Sequence, residues 1–86
     1  MISKVFSIYD SKAELYMKPF HMATKGQAIR GFADLANDES TDVGKHPQDF
    51  TLFEIGEYDD ERGEYTMHTT KTSLGIAIEF KRGENR

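Results

Sequence analysis

From Ser3 to Tyr9 the chain alternates, with Phe6 and Ile8 on one face of an extended segment and Val5 and Tyr9 on the other. A period of two marks a strand, and here both faces carry large apolar groups. Asp10-Ser11-Lys12 interrupts the pattern. Alternation resumes from Glu14 to Phe20, with Leu15 and Met17 opposite Tyr16 and Phe20, so the two segments read as a hairpin. Pro19 has no amide proton to give to a ladder, which predicts that the second strand ends near Lys18 or lies at a sheet edge. Thr24-Lys25-Gly26-Gln27 has the capping-box pattern, in which the Thr hydroxyl and the Gln amide satisfy backbone N–H groups at a helix start. Ile29, Phe32, Ala33 and Ala36 then recur at helical spacing and predict a stripe that packs on a sheet. Gln27, Arg30, Gly31 and Asp34 fall on the other face.

Between Asn37 and Gly44 the periodicity is lost among Asp, Ser and Thr, as in a surface loop. Lys45-His46-Pro47-Gln48-Asp49 leads into Phe50 to Tyr58, the strongest strand pattern in the chain, with Phe53 and Ile55 set against Leu52 and Tyr58. The charged, Gly-containing stretch Asp59 to Glu64 predicts a turn, and Tyr65 to Thr69 a returning strand. Ser73 to Phe80 fits either a fifth strand or a short helix, since so short an apolar run has no decisive period. The expected fold is α+β: a small antiparallel sheet of four to five strands with one packed helix, in the order β-β-α-β-β. It forms a single domain over residues 1–80, with a polar tail from Lys81 to Arg86. One helix covers only one face of a sheet whose strands are apolar on both, so the pattern also predicts a homodimer that buries the remainder.

Composition narrows the possibilities. At 86 residues the chain forms one domain, and a domain this small has little depth for an enclosed active site. With 37% hydrophobic residues, six Phe and four Tyr, it has enough apolar material for a core. It has no Cys, which removes a disulfide framework, and no apolar run approaches the roughly 18 residues that span a bilayer. The start of the chain, broken by Ser3, Lys4 and Ser7, lacks the pattern of a secretion signal. The expected location is the cytoplasm. A net charge of −4 opposes any bulk coating of nucleic acid, so phosphate contacts require a local cluster of Lys and Arg.

His21, His46 and His68 lie at none of the spacings that zinc sites use, and no metal or other cofactor is expected. Asp59-Asp60-Glu61 sits in an expected hairpin tip, where water keeps carboxyl groups close to their ordinary behaviour. No Ser or Thr belongs to a recognisable nucleophile motif, and the scattered glycines form no phosphate-cradling loop. The chain therefore reads as a binding protein with no catalytic residues. Single-strand binders combine basic groups with aromatic rings that stack on bases. Tyr16, Lys18 and Phe20 are expected on one face of the second strand, Arg30 on the polar side of the helix, and Lys45 with Lys81-Arg82 as extensions of a basic patch. The alternative role for the aromatics is core packing, and for Arg30 an ion pair with Asp34 worth a few tenths of a kcal/mol.

Several segments together resemble one known family. They are Phe6-Ser7-Ile8-Tyr9-Asp10-Ser11-Lys12-Ala13, Lys18-Pro19-Phe20, Ala28-Ile29-Arg30-Gly31-Phe32, Lys45-His46-Pro47-Gln48-Asp49-Phe50 and Leu52-Phe53-Glu54-Ile55-Gly56-Glu57-Tyr58-Asp59-Asp60. In order and spacing they are similar to the small nonstructural protein of gokushoviruses, single-stranded-DNA microviruses of bacteria, over roughly residues 5 to 64. The resemblance implies a non-enzymatic regulator in the host cytoplasm. The family is often described as DNA-binding, which with the aromatic and basic residues above makes single-stranded DNA the expected ligand, and it is placed by analogy beside the microvirus protein that switches replication from duplex copying to single-strand synthesis for packaging. It supplies no catalytic residues, and among its matched positions Arg30, Lys45 and His46 are polar residues that the fold alone does not require. A viral or host replication protein, bound through an acidic surface, is the alternative partner.

Overall fold

The computed structural model describes residues 1–82. Strand β1 (Ile2–Asp10) lies inside the sheet and serves both of its faces: Phe6 and Ile8 are buried on one side, Val5 and Ser7 on the other. Along one edge it pairs antiparallel with two short strands, β2 (Leu15–Tyr16) and β3 (Phe20–Met22), and along the other with β4 (Phe50–Asp59). β4 in turn pairs with β5 (Glu64–Ile76). The architecture is α+β, a five-stranded antiparallel sheet with one main helix.

The single second strand expected over Glu14 to Phe20 is in fact split. Pro19 cannot donate to β1, and the chain rides out of the ladder at Met17, whose carbonyl oxygen accepts a hydrogen bond from Ser7 Oγ at 2.7 Å. The β1–β2 turn is closed by Asp10, whose Oδ1 accepts from the backbone of Lys12 and Ala13, and by Glu14 in the left-handed region at φ 59°.

Helix α1 (Lys25–Ala36) begins where expected. Thr24 Oγ1 accepts from the Gln27 amide at 3.2 Å, and Gln27 Oε1 accepts from the Thr24 amide at 3.3 Å. Its buried stripe is Ala28, Phe32 and Ala36, with Ile29 and Leu35 beside it and Ala33 at the margin. The two small alanines let the helix approach the sheet closely, which rotates the stripe from the expected one. The expected loop 37–44 contains a further helical turn, α2 (Asp42–Lys45). Thr41 Oγ1 accepts from the Gly44 amide, and a side chain on Gly44 would collide with the Asp38 carbonyl. Pro47 is buried at the start of the 3-10 turn Pro47–Asp49, which delivers Phe50 into the core.

Ser73 to Phe80 resolves into both alternatives. Residues to Ile76 extend β5 beyond its expected end at Thr69, and Ala77–Phe80 form a 3-10 turn. Phe80 meets Phe32 edge-on at 5.8 Å. Asp34, the expected partner of Arg30, instead meets Arg82 at 3.4 Å, and the Arg82 amide donates to Asn37 Oδ1. The start of the expected tail is thereby tied to α1, and residues 83–86 lie outside the described residues. Phe6, Ile8, Phe50 and Leu52 of the sheet, Ala28, Phe32 and Ala36 of α1, Val43 and Ala77 form one core. Both helices therefore occupy the same side of the sheet.

Candidate nucleic-acid interface

Directly paired residues of antiparallel strands point to the same side, so the register traces the face opposite the helices. In line with Ser3, Val5, Ser7 and Tyr9 of β1 lie Tyr16 of β2 and His21 of β3, and then Thr51, Phe53, Gly56 and Tyr58 of β4. Across β4 follow Tyr65, Met67, Ser73 and Ile76 of β5. None of these is Asp or Glu, in a chain with 15 acidic residues. The carboxylates of Asp10, Glu54, Glu57, Asp59 and Glu64 belong to the opposite parity.

The aromatic residues divide in the same way. All four tyrosines of the chain, Tyr9, Tyr16, Tyr58 and Tyr65, lie on the open face together with Phe53, whereas Phe6, Phe20, Phe32, Phe50 and Phe80 pack in or against the core. The rings form two groups. In one, Tyr9 and Tyr16 have centroids 4.8 Å apart, Phe53 meets Tyr16 at 5.8 Å, and Lys71 Nζ stands 5.7 Å from the Tyr16 centroid, within cation–π range. In the other, His21 is stacked nearly parallel on Tyr58 at 5.1 Å. Its Nε2 is 2.8 Å from Tyr65 Oη, and Tyr65 packs against Tyr58 at 4.6 Å. Tyr16 is 46% exposed, Tyr65 52% and Met67 54%, so each group presents ring or thioether surface to solvent.

One irregularity builds this face. A register shift between Glu54 and Gly56 inserts Ile55 into β4, which changes the parity of everything after it. Tyr58, expected opposite Phe53, consequently joins it. The same irregularity leaves His68 to Lys71 of β5 against that one residue, since Met67 pairs with Gly56 and Thr72 with Glu54. The extra length brings Lys71 over Tyr16. Gly56 is required at this crossing, because a Cβ there would stand 2.7 Å from the Thr66 carbonyl oxygen and 3.1 Å from Met67 Cα.

Of the residues singled out from the sequence, Tyr16 lies on the open face, and Lys18 is exposed in the link from β2 to β3 beside it. Phe20 does not share their face. It pairs with Phe6 and stacks on it at 5.7 Å, on the core side, because the break at Met17 to Pro19 resets the alternation. Arg30 is exposed on α1, and Lys45 and His46 at the end of α2, so all three lie in the helical layer away from Tyr16. His46 lines a recess of about 230 Å³ with Asp10, Lys12, Asp42, Asp49 and Phe50, whose three carboxylates oppose a phosphate. The backbone of His46 also closes two turns, donating to the Asp42 carbonyl and accepting from the Asp49 amide. Lys45-His46-Pro47 thus has a structural role. Tyr9, His21, Phe53, Tyr58, Tyr65 and Lys71 were not singled out from the sequence. The division of Tyr from Phe was the available signal for them, since a half-exposed ring keeps its hydroxyl in water.

Charge gathers away from the open face. The amino group of Met1 meets Asp60 at 2.8 Å and Glu61 at 3.4 Å at the β4–β5 hairpin tip, and hydrogen bonding to Asp60 holds its pKa above the ordinary value. Asp38, in the loop before α2, accepts hydrogen bonds from the hydroxyl and amide of Ser40, which hold its carboxyl below the ordinary range. Among the described residues no group of His, Cys, Asp and Glu is placed to hold a metal ion, and no helix is long and apolar enough to cross a membrane.

Fold and site together define a small sheet protein covered by helices on one face and carrying on the other an aromatic surface whose paired strand positions, among the described residues, hold no carboxylate. Residues 3–80 match the family model described as Phage ORF5 protein, and the chain belongs to that phage protein family. The match runs past the resemblance seen at residues 5 to 64, through β5 and the final 3-10 turn. Comparisons with curated proteins and with solved structures find no match.

Proposed function

We infer that this phage protein binds single-stranded DNA on the open face of its sheet and does no chemistry on it. The observation that carries the reading is the tyrosine-rich face, none of whose paired strand positions among the described residues is Asp or Glu. Rings exposed on a sheet stack on unpaired bases whatever their sequence. A protein of net charge −4 accommodates a polyanion only where its own negative charges are turned away. The resemblance to the small nonstructural protein of gokushoviruses supports a role in the host cytoplasm, in the change from duplex replication to single-strand synthesis and packaging. Binding is weak, sequence-tolerant and selective for single strands, since duplex bases offer no free faces. With few cations near the rings, the salt dependence is shallow, about −0.7 in log–log slope per phosphate neutralised.

Titration of the pure protein with labelled single- and double-stranded oligonucleotides at two salt concentrations tests this. Saturable binding to single strands in preference to duplex supports it. Equal affinity for both overturns it, and absence of binding at low salt transfers the function to a replication-protein partner of the acidic surfaces at Asp59 to Glu64 and Asp38 to Asp42. A second reading is a homodimer formed through the same face, favoured by the exposure of Tyr65 and Met67. Sedimentation with and without oligonucleotide separates the two, since a dimer through this face dissociates as DNA binds.

A further inference from the structure

The open face holds two separate ring groups, and their spacing says what length of strand fits. On β1, Tyr9 marks the first group, Val5 is paired with His21, and Ser3 is paired with Tyr58. Phe53 is paired with Ser7, so the two groups come within two residues of each other along β1, while Tyr16 and Tyr65, the exposed ring of each, are six residues apart along the strands and three strands apart across the sheet. At about 3.3 Å per residue and about 4.8 Å per strand their separation is about 24 Å. Val5 and Ser7, on β1 between them, are buried and offer no ring to a base. The groups also differ in their neighbours. Lys71 stands over Tyr16 in the first, whereas His21, Tyr58 and Tyr65 have no such lysine contact among the described residues and are joined by the His21–Tyr65 hydrogen bond.

Resting on the single-strand reading above, we propose that the face is a two-station clamp. One base stacks at Tyr16, where its phosphate takes over the Lys71 ammonium, and a second stacks at Tyr65 and Tyr58 without any phosphate contact. The strand between them crosses the sheet from β2 to β5. A stacked strand rises about 3.4 Å per nucleotide, so about 7 nucleotides bridge the stations, and fewer do so when the strand is stretched. Occupying one station raises the effective concentration of the strand at the other. Affinity therefore rises steeply once an oligonucleotide is long enough to engage both and then levels off. Salt dependence originates at the first station alone.

The test is a series of oligothymidylates from two to twelve nucleotides, read by quenching of tyrosine fluorescence. The chain has no Trp, and its four tyrosines all line this face. Tyr16→Leu and Tyr65→Leu, checked for wild-type circular dichroism, are each expected to weaken binding of the longest oligomer about 5- to 150-fold, the effect of about one stacked base. On the dinucleotide, which reaches one station at a time, each costs no more than about twofold. Lys71→Gln lowers the salt slope by about 0.7, and Tyr65→Leu leaves it unchanged. If affinity is independent of length, or if either tyrosine variant alone abolishes dinucleotide binding, the clamp is wrong while single-strand binding stands. If no oligomer of any length quenches the tyrosines or binds by anisotropy, both fall. Should a tyrosine variant unfold, Lys71→Gln with the length series still decides, because Lys71 is an exposed residue of the β5 bulge.

Discussion

Gly56→Ala is the sharpest test of how the open face is built. The added Cβ would sit 2.7 Å from the Thr66 carbonyl oxygen and 3.1 Å from Met67 Cα, both of them backbone atoms. Met67 Sδ, also at 3.1 Å, can swing away, but the strand itself must shift by several tenths of an ångström at the point where Ile55 is inserted. Forcing one carbon into a packed contact of this kind costs about 1–3 kcal/mol, which for a domain of this size lowers Tm by about 5 to 20 °C. The shift falls between the Tyr58–Tyr65 pair and Phe53, so oligonucleotide affinity should drop with stability. The control is Gly31→Ala, in the interior of α1 with nothing within 4 Å of the new carbon. It should stabilise by up to about 1 kcal/mol. Thermal unfolding followed by circular dichroism measures both. If Gly56→Ala melts with the wild type, the close crossing of β4 and β5 is wrong, and with it the parity that unites Phe53 and Tyr58.

Three further outcomes follow from the same geometry. Phe20→Leu should lower stability by about 1–2 kcal/mol through lost packing on Phe6 and leave oligonucleotide affinity unchanged, whereas Tyr16→Leu should do the reverse; urea unfolding and anisotropy on both variants separate the roles. Thr24→Ala removes one half of the capping box and should cost about 1 kcal/mol in the same unfolding assay, with no effect on binding. The hydrogen bonds from Ser40 hold the folded pKa of Asp38 below the ordinary carboxylate value, so its contribution is present above that value and is lost as pH falls through the folded pKa. Asp38→Asn should accordingly be less stable than wild type near neutral pH and indistinguishable from it once both are measured below the carboxylate range.

Local signals carried the sequence reading a long way. The alternation of Phe6 and Ile8, the Thr24–Gln27 capping box and the charged Asp59–Glu64 turn each depend on neighbours within a few residues, and each element stands where these residues place it. What was missed depends on contacts distant in sequence. The break at Met17 needs Ser7 as a partner, the insertion of Ile55 is defined only against β1 and β5, and together they decide which side Phe20 and Tyr58 face. A parity argument carried across an unseen bulge inverts every residue beyond it. Lys71 was invisible for the same reason, because its place over Tyr16 is created by extra length in β5 and by no pattern of its own. Arg30, Lys45 and His46 stood out because they are polar and belong to matched segments, yet they lie in the helical layer.

The central claim concerns which side of the sheet meets DNA, and NMR chemical-shift mapping with an oligothymidylate of about 12 nucleotides, well within single-strand site sizes, reads that side directly. The account predicts that the shifts concentrate on the rings of Tyr9, Tyr16, Phe53, Tyr58 and Tyr65, on His21 and on Lys71, with α1 and α2 unmoved. Shifts centred on Arg30, Lys45 and His46, with the tyrosine rings unchanged, would contradict it.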